Sequence, residues 1–171
     1  MNFNNLIYKI LEESKPGKDS DYRKLFHDFY VGKGLLSQPE SDELEELTDQ
    51  TISMMGLSPK VEQSDSGNTI VKYAFKGGDL LIIGIMTKSG KLDRTDLGDL
   101  KEWISKIANI LKSGKKVISS PNPISGAMMK KVDELLRQDG YSLNKQEYGP
   151  SHSLGDSPYL NWQTYIFTAR K

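Results

Sequence analysis

The stretch Arg94-Thr95-Asp96-Leu97-Gly98-Asp99 stands where chemistry would be expected: a short loop with an arginine and a glycine, running into an amphipathic helical pattern. Two readings fit it. Unpaired N–H groups and the positive end of a helix dipole attract phosphate at such a point. Asp96 is also a good N-cap residue, so the same residues read as a capped helix start on a solvated loop. Asn122, between Pro121 and Pro123, is a turn residue by its type and its neighbours. His152 lies among Ser151, Ser153 and Asp156, a hydrolase set in composition only, because residues so close in one loop rarely reach triad geometry. His27 sits beside an apolar helical face and reads as a surface or boundary residue. No spacing of His, Asp and Glu suggests a metal, and none is expected.

The elements that must position these residues belong to one compact chain. At 171 residues there is room for one domain with a real core. Lys plus Arg and Asp plus Glu number 23 each, so the basic excess of a nucleic-acid binder is missing and a nucleic-acid partner is not expected. With no cysteine there is neither a disulfide framework nor thiolate chemistry. The longest apolar run, Leu80 to Met86, is far too short to span a membrane. Residues 1–10 lack the basic start, apolar run and cleavage site of a signal peptide. The expected location is cytoplasmic.

Residues 1–57 read as a helical N-terminal segment. Phe3, Leu6, Ile7, Ile10 and Leu11 share one helical face, and Lys15-Pro16-Gly17 breaks it. Asp19-Ser20-Asp21 supplies caps for a second helix with Tyr22, Leu25, Phe26, Phe29 and Tyr30 inward. A third begins near Pro39 and Glu40, with Leu44, Leu47, Thr51, Ile52 and Met55 inward. Its run of Glu40, Asp42, Glu43, Glu45, Glu46 and Asp49 reads as the solvated face.

The character changes at residue 58. Residues 60–63, 69–76 and 79–87 read as three strands, the last two joined at Gly77-Gly78. Leu80 to Met86 is apolar on both faces and belongs mid-sheet. A helix over 97–112, a short strand at 116–119, a helix over 124–139 and strands at 141–148 and 162–169 follow. That order implies helices crossing over a mixed, mostly antiparallel α+β sheet. Ile83→Asp is expected to unfold it.

From residue 58 to 171 this order resembles the core of the GNAT family of acyl-CoA-dependent N-acyltransferases. Three local features carry the likeness: the strand Leu80–Thr87 leading through a loop into a long helix, Asn122 just after the strand Lys116–Ser119, and the turn Gln138-Asp139-Gly140-Tyr141. The resemblance implies acetyl-CoA lying along the central strand. A backbone N–H near Ile85 or Met86 would polarise the thioester, Arg94 and Gly98 would meet the pyrophosphate, and Asn122 the pantetheine. A Glu or Tyr near the strand end would act, through water, as base, with Tyr73 and Tyr148 the named candidates. Two departures stand beside it. The family's loop reads Gln/Arg-x-x-Gly-x-Gly/Ala, whereas here the arginine is one residue further from Gly98 and an aspartate, Asp99, follows that glycine. Many members place a Tyr four residues before the Gly of the Gly-aromatic turn, where this chain has Leu136, which helical spacing turns toward the core.

Two functions follow from the resemblance. One is transfer of an acyl group from CoA to an amine. The other is a non-enzymatic GNAT-like interaction or structural module with a protein partner; the Lys/Asp/Asn/Ser-rich style is similar to small tailed-phage virion or assembly proteins. Asp93, Asp96 and Asp99 lower the potential at the loop, so weak or absent acetyl-CoA binding is the expectation at Arg94–Gly98.

Overall fold

The computed structural model of the protein describes residues 17–89, 94–120, 122–148 and 164–171. The helix expected over Phe3–Leu11, the His152 loop and Trp162 lie outside these residues. The elements are α1 (Gly17–Tyr30), α2 (Gln38–Met54), β1 (Lys60–Gln63), β2 (Thr69–Lys76) and β3 (Asp79–Thr87). A 3-10 helix (Arg94–Leu100) then leads into α3 (Lys101–Lys112), β4 (Val117–Ser119), α4 (Pro123–Gln138), β5 (Ser142–Tyr148) and β6 (Thr164–Arg170). The strands form one mixed sheet of six, in the order β1-β2-β3-β4-β6-β5. Only β3 and β4 pair in parallel, joined by the α3 crossover; the other neighbours are antiparallel. The protein is thus α+β, as its element order requires.

Local chemistry fixes the hairpin. Gly77 and Gly78 both have positive φ, at 59° and 90°, which the two-residue turn between β2 and β3 demands and a side chain would resist. The helices bury their apolar stripes on opposite faces of the sheet. Trp103, Ile107 and Leu111 of α3 and Met128, Val132 and Leu136 of α4 pack with Val71, Leu80, Ile82, Val117 and Phe167 in the main core. On the other face, Tyr22, Leu25, Phe26 and Phe29 of α1 cover Ile70 and Met86. Ile52 of α2 and Leu57 just beyond it cover Ala74 and Ile83. Leu57 N–H closes on Ile52 C=O at 3.1 Å, which ends α2 and brings these two side chains together.

Three expectations need correction. The helix placed at 97–112 becomes α-helical only at Lys101, and its N-cap is Leu100, not Asp96. The residues before it wind more tightly, which brings Leu100 to full burial while Leu97 is only half-buried. Met55, expected inward, is 45% exposed because α2 has already ended at Met54. The acidic face of α2 is not wholly solvated: Glu45 and Asp49 turn toward Arg23, and Asp49 also reaches Lys72.

Candidate functional site

The central strand carries an irregularity that decides what its backbone can do. Lys72 of β2 pairs with Gly84 and Tyr73 with Ile82, so Ile83 is one residue too many in the ladder. That is a β-bulge. Its effect can be followed through the hydrogen bonds. Leu80 N–H donates to Lys116 C=O on the β4 side, whereas Lys88 N–H donates to Asn68 C=O on the β2 side. In a regular strand these two residues, eight apart, would face the same neighbour. The bulge shifts the alternation by one, so beyond it the amides of Ile85 and Thr87 face the β4 side and that of Met86 faces β2.

On the β4 side the ladder is short. Leu80, Ile82 and the residue between them pair with Val117, Ser119 and Ile118, and the pairing stops there. β3 runs on for five residues, Ile83–Thr87, with no ladder partner on that side among the described residues. β4 instead leaves the sheet into α4. The pairing therefore has a gap between the carboxyl ends of two parallel strands beyond Ile82 and Ser119, the end of an α/β sheet that commonly holds ligands, although Ile85, Thr87 and Ser119 around it are buried. The helical segments that follow both strands start at this end.

The residues singled out in the sequence distribute unevenly about that gap. Ile85 and Met86 are buried on β3, one on each face of the sheet. Arg94 opens the 3-10 helix; its side chain is outside the described residues. Gly98 lies in the same turn, and a Cβ there would meet nothing within 4 Å. Asp99, one of the three loop aspartates, accepts a hydrogen bond from the Thr69 hydroxyl at 3.4 Å and so is drawn toward β2. Asn122 caps α4: its Oδ1 accepts the Ser125 N–H at 2.7 Å, and Ser125 Oγ accepts the Asn122 N–H at 3.3 Å. Asn122→Ala is expected to cost about 1 kcal/mol and Asn122→Asp much less, since the carboxylate caps equally well. Urea denaturation of the two variants checks this.

The two tyrosines are not brought together. Tyr148 ends β5 at the same end of the sheet as the gap, two strands from β4, or roughly 10 Å across. Tyr73 is 8% exposed on the α3 face of β2, stacked edge-on to Trp103 with ring centroids 4.7 Å apart. Burial, and then the Glu62 carboxylate that shares its hydroxyl proton, push its pKa up to about 12. Tyr73 therefore keeps its proton at neutral pH and is a poor base.

Behind the bulge, on the face away from α3, lies a polar cluster that sequence reasoning did not assemble. Lys72 is 5% exposed on β2, opposite Gly84. Its Nζ stands 3.3 Å from Asp49 Oδ1 and over the Tyr22 ring. Asp49 also pairs with Arg23, whose other nitrogen is 3.9 Å from Glu45. The Tyr22 hydroxyl fills the space a Cβ would need at Gly84, so only glycine admits α1 this close to the bulge. Two signals were available: a lysine alone in the run Ile70–Phe75, and a glycine inside the apolar run Leu80–Met86, a common mark of a bulge or close approach.

Burial raises the Glu45 carboxyl above its ordinary value, with Arg23 pulling the other way and Asp42 adding to the rise. The folded state thus holds this proton more tightly than the unfolded chain. Stability from that proton is full below the ordinary value of 4.5 and is lost as pH rises through the higher folded-state value. Glu45→Gln is accordingly expected to melt above the wild type at pH 7 and not at pH 4. Thermal melts at the two pH values decide it.

Between the 3-10 helix, α3 and α4 a shallow groove of about 500 Å³ is lined by Leu97, Ile104 and Leu135 and by Lys101, Lys131 and Glu134, the last two paired at 3.3 Å. Among the described residues no group of His, Cys, Asp and Glu is placed to hold a metal, and no helix is long and apolar enough to cross a membrane. Set against known proteins, the chain matches no family model and no curated protein.

Proposed function

We propose that this is a GNAT-like domain that holds an acyl-CoA in the gap between β3 and β4 and passes the acyl group to an amine. The observation that carries the reading is the parallel ladder that stops at Ile82 and Ser119 while the bulged β3 runs on. The pantetheine would take the place of the missing strand, and the Ile85 N–H would donate to the thioester oxygen, where negative charge develops. Met86, whose amide faces β2, is the weaker of the two original candidates. A neutral amine attacks the carbonyl carbon, the C–N bond forms, the C–S bond breaks, and CoA leaves as its thiolate. The amine's proton goes to water or to a base near the strand ends; with Tyr73 holding its own proton, Tyr148 is the remaining named candidate. The groove beside Gly98, with an apolar floor and Lys101 on its rim, would take the nucleotide end, with Lys131 already paired to Glu134 there.

Calorimetry with acetyl-CoA at low and moderate salt tests the reading. With Asp99 drawn to Thr69, the account expects saturable binding on the order of 100 µM at low salt, about −5.5 kcal/mol, weakening as salt rises. Arg94→Ala should weaken it further. A second reading has its own support. Tyr22 packs against the bulge from behind, and the usual proton donor is replaced by Leu136, fully buried. Both favour a non-enzymatic interaction module, and the absence of any heat with acetyl-CoA would put that reading first.

A further inference from the structure

The two edges of the sheet are built differently. β1 is four residues long, follows Pro59 and begins with Lys60, all devices that blunt an edge. β5 is seven residues long, pairs with β6 without a register shift and contains neither proline nor glycine. Among the described residues no strand lies on its outer side. Five of its residues, Ser142 and Asn144 to Glu147, are exposed. We propose that this edge is an interface for a second copy of the chain, joined antiparallel, β5 to β5, about a two-fold axis perpendicular to the sheet.

The register follows from geometry and charge. Such an axis keeps each side chain on its own face, so a residue can pair only with one an even number of positions away, and the axis must pass through a residue opposite itself. Centred on Lys145 the strands would set lysine on lysine, and centred on Glu147 glutamate on glutamate. Centred on Asn144, Lys145 would meet Leu143. Centred on Gln146, Lys145 of each copy meets Glu147 of the other, twice, and Asn144 meets Tyr148. Opposite charges directly across an antiparallel pair stabilise it and like charges oppose it. Gln146 is therefore the axis residue, and the two sheets join into one of twelve strands.

The absence of cysteine makes a register-specific test simple. In Gln146→Cys the only two thiols face each other across the axis, about 5 Å apart at Cα, within disulfide range. In Asn144→Cys they are about 14 Å apart and out of reach. Mild oxidation of the full chain should give a covalent dimer of doubled mass with Gln146→Cys and at least tenfold less with Asn144→Cys. Sedimentation velocity of the unmodified chain should show concentration-dependent doubling of mass. Lys145→Glu should abolish that doubling, and Lys145→Glu with Glu147→Lys should restore it. Both positions are exposed, so melting curves will confirm that the variants remain folded. A chain that stays monomeric at several hundred micromolar, a dimer indifferent to Lys145→Glu, or equal cross-linking at 144 and 146 would each overturn the proposal.

Discussion

Ile82→Asp leaves no cooperatively folded protein. Ile82 is 2% exposed at the centre of the row Tyr73–Ile82–Ser119 and packs in the main core beneath α3 and α4. An aspartate there sits among the apolar side chains of that cluster. It would have to ionise against burial or take up a proton at neutral pH, and a shift of about three units alone costs about 4 kcal/mol. The lost isoleucine packing adds about 2–3 kcal/mol. Together these approach the about 5–15 kcal/mol that holds a whole domain. Ile83→Asp acts in the same direction through the smaller cluster with Ile52, Leu57 and Ala74. Near-UV circular dichroism and urea denaturation give the readout. A soluble Ile82→Asp protein with an unchanged cooperative transition would refute the central place of β3.

The second large effect concerns Leu136, which the proposed GNAT-like reading sets where many members of that family carry their proton donor. Leu136→Tyr restores that side chain type, yet it is expected to destabilise and to add no activity. Leu136 has no exposed surface and lies among the main-core side chains. A larger ring overpacks the site, at about 1–3 kcal/mol. Its hydroxyl, if left without a partner, costs about 1–3 kcal/mol more. A drop of roughly 2–6 kcal/mol in urea denaturation is the expected result. A Leu136→Tyr protein as stable as the wild type, with faster turnover of acetyl-CoA, would mean that α4 presents this position to the gap.

Much of the scaffold was legible because its signals are local. The stripes Leu100, Trp103, Ile107, Leu111 and Met128, Val132, Leu136 repeat at helical spacing, and Gly77-Gly78 separates two β-prone runs. Helical spacing alone places Leu136 in the core, where it is fully buried. The missed features are those that one element imposes on another. Asp96 looked like the N-cap because capping rules see only the local chain, while burial of Leu100 beneath the sheet holds the residues before Lys101 in a tighter turn. Glu45 and Asp49 looked solvated because α2 is acidic throughout. Nothing in α2 announces that Arg23, 26 residues before Asp49, and Lys72, on a strand beyond it, will face them. The bulge left a trace in Gly84, but its consequence for the Ile85 amide needed the neighbouring ladders. The gap is a property of where β4 ends against β3, and pairing between distant segments has no local signature.

The most direct test of the account is a titration of isotope-labelled protein with acetyl-CoA, following backbone amides by heteronuclear NMR. If the thioester lies in the gap, the Ile85 amide proton moves downfield on saturation, as expected of a new hydrogen bond to oxygen. Thr87 and Gly98 shift along the same binding curve, while Lys60 and Val61 on the far edge stay in place. An Ile85 resonance unmoved at millimolar acetyl-CoA, or shifts confined to exposed lysines that vanish with salt, would contradict the assignment of the β3–β4 gap as an acyl-CoA site.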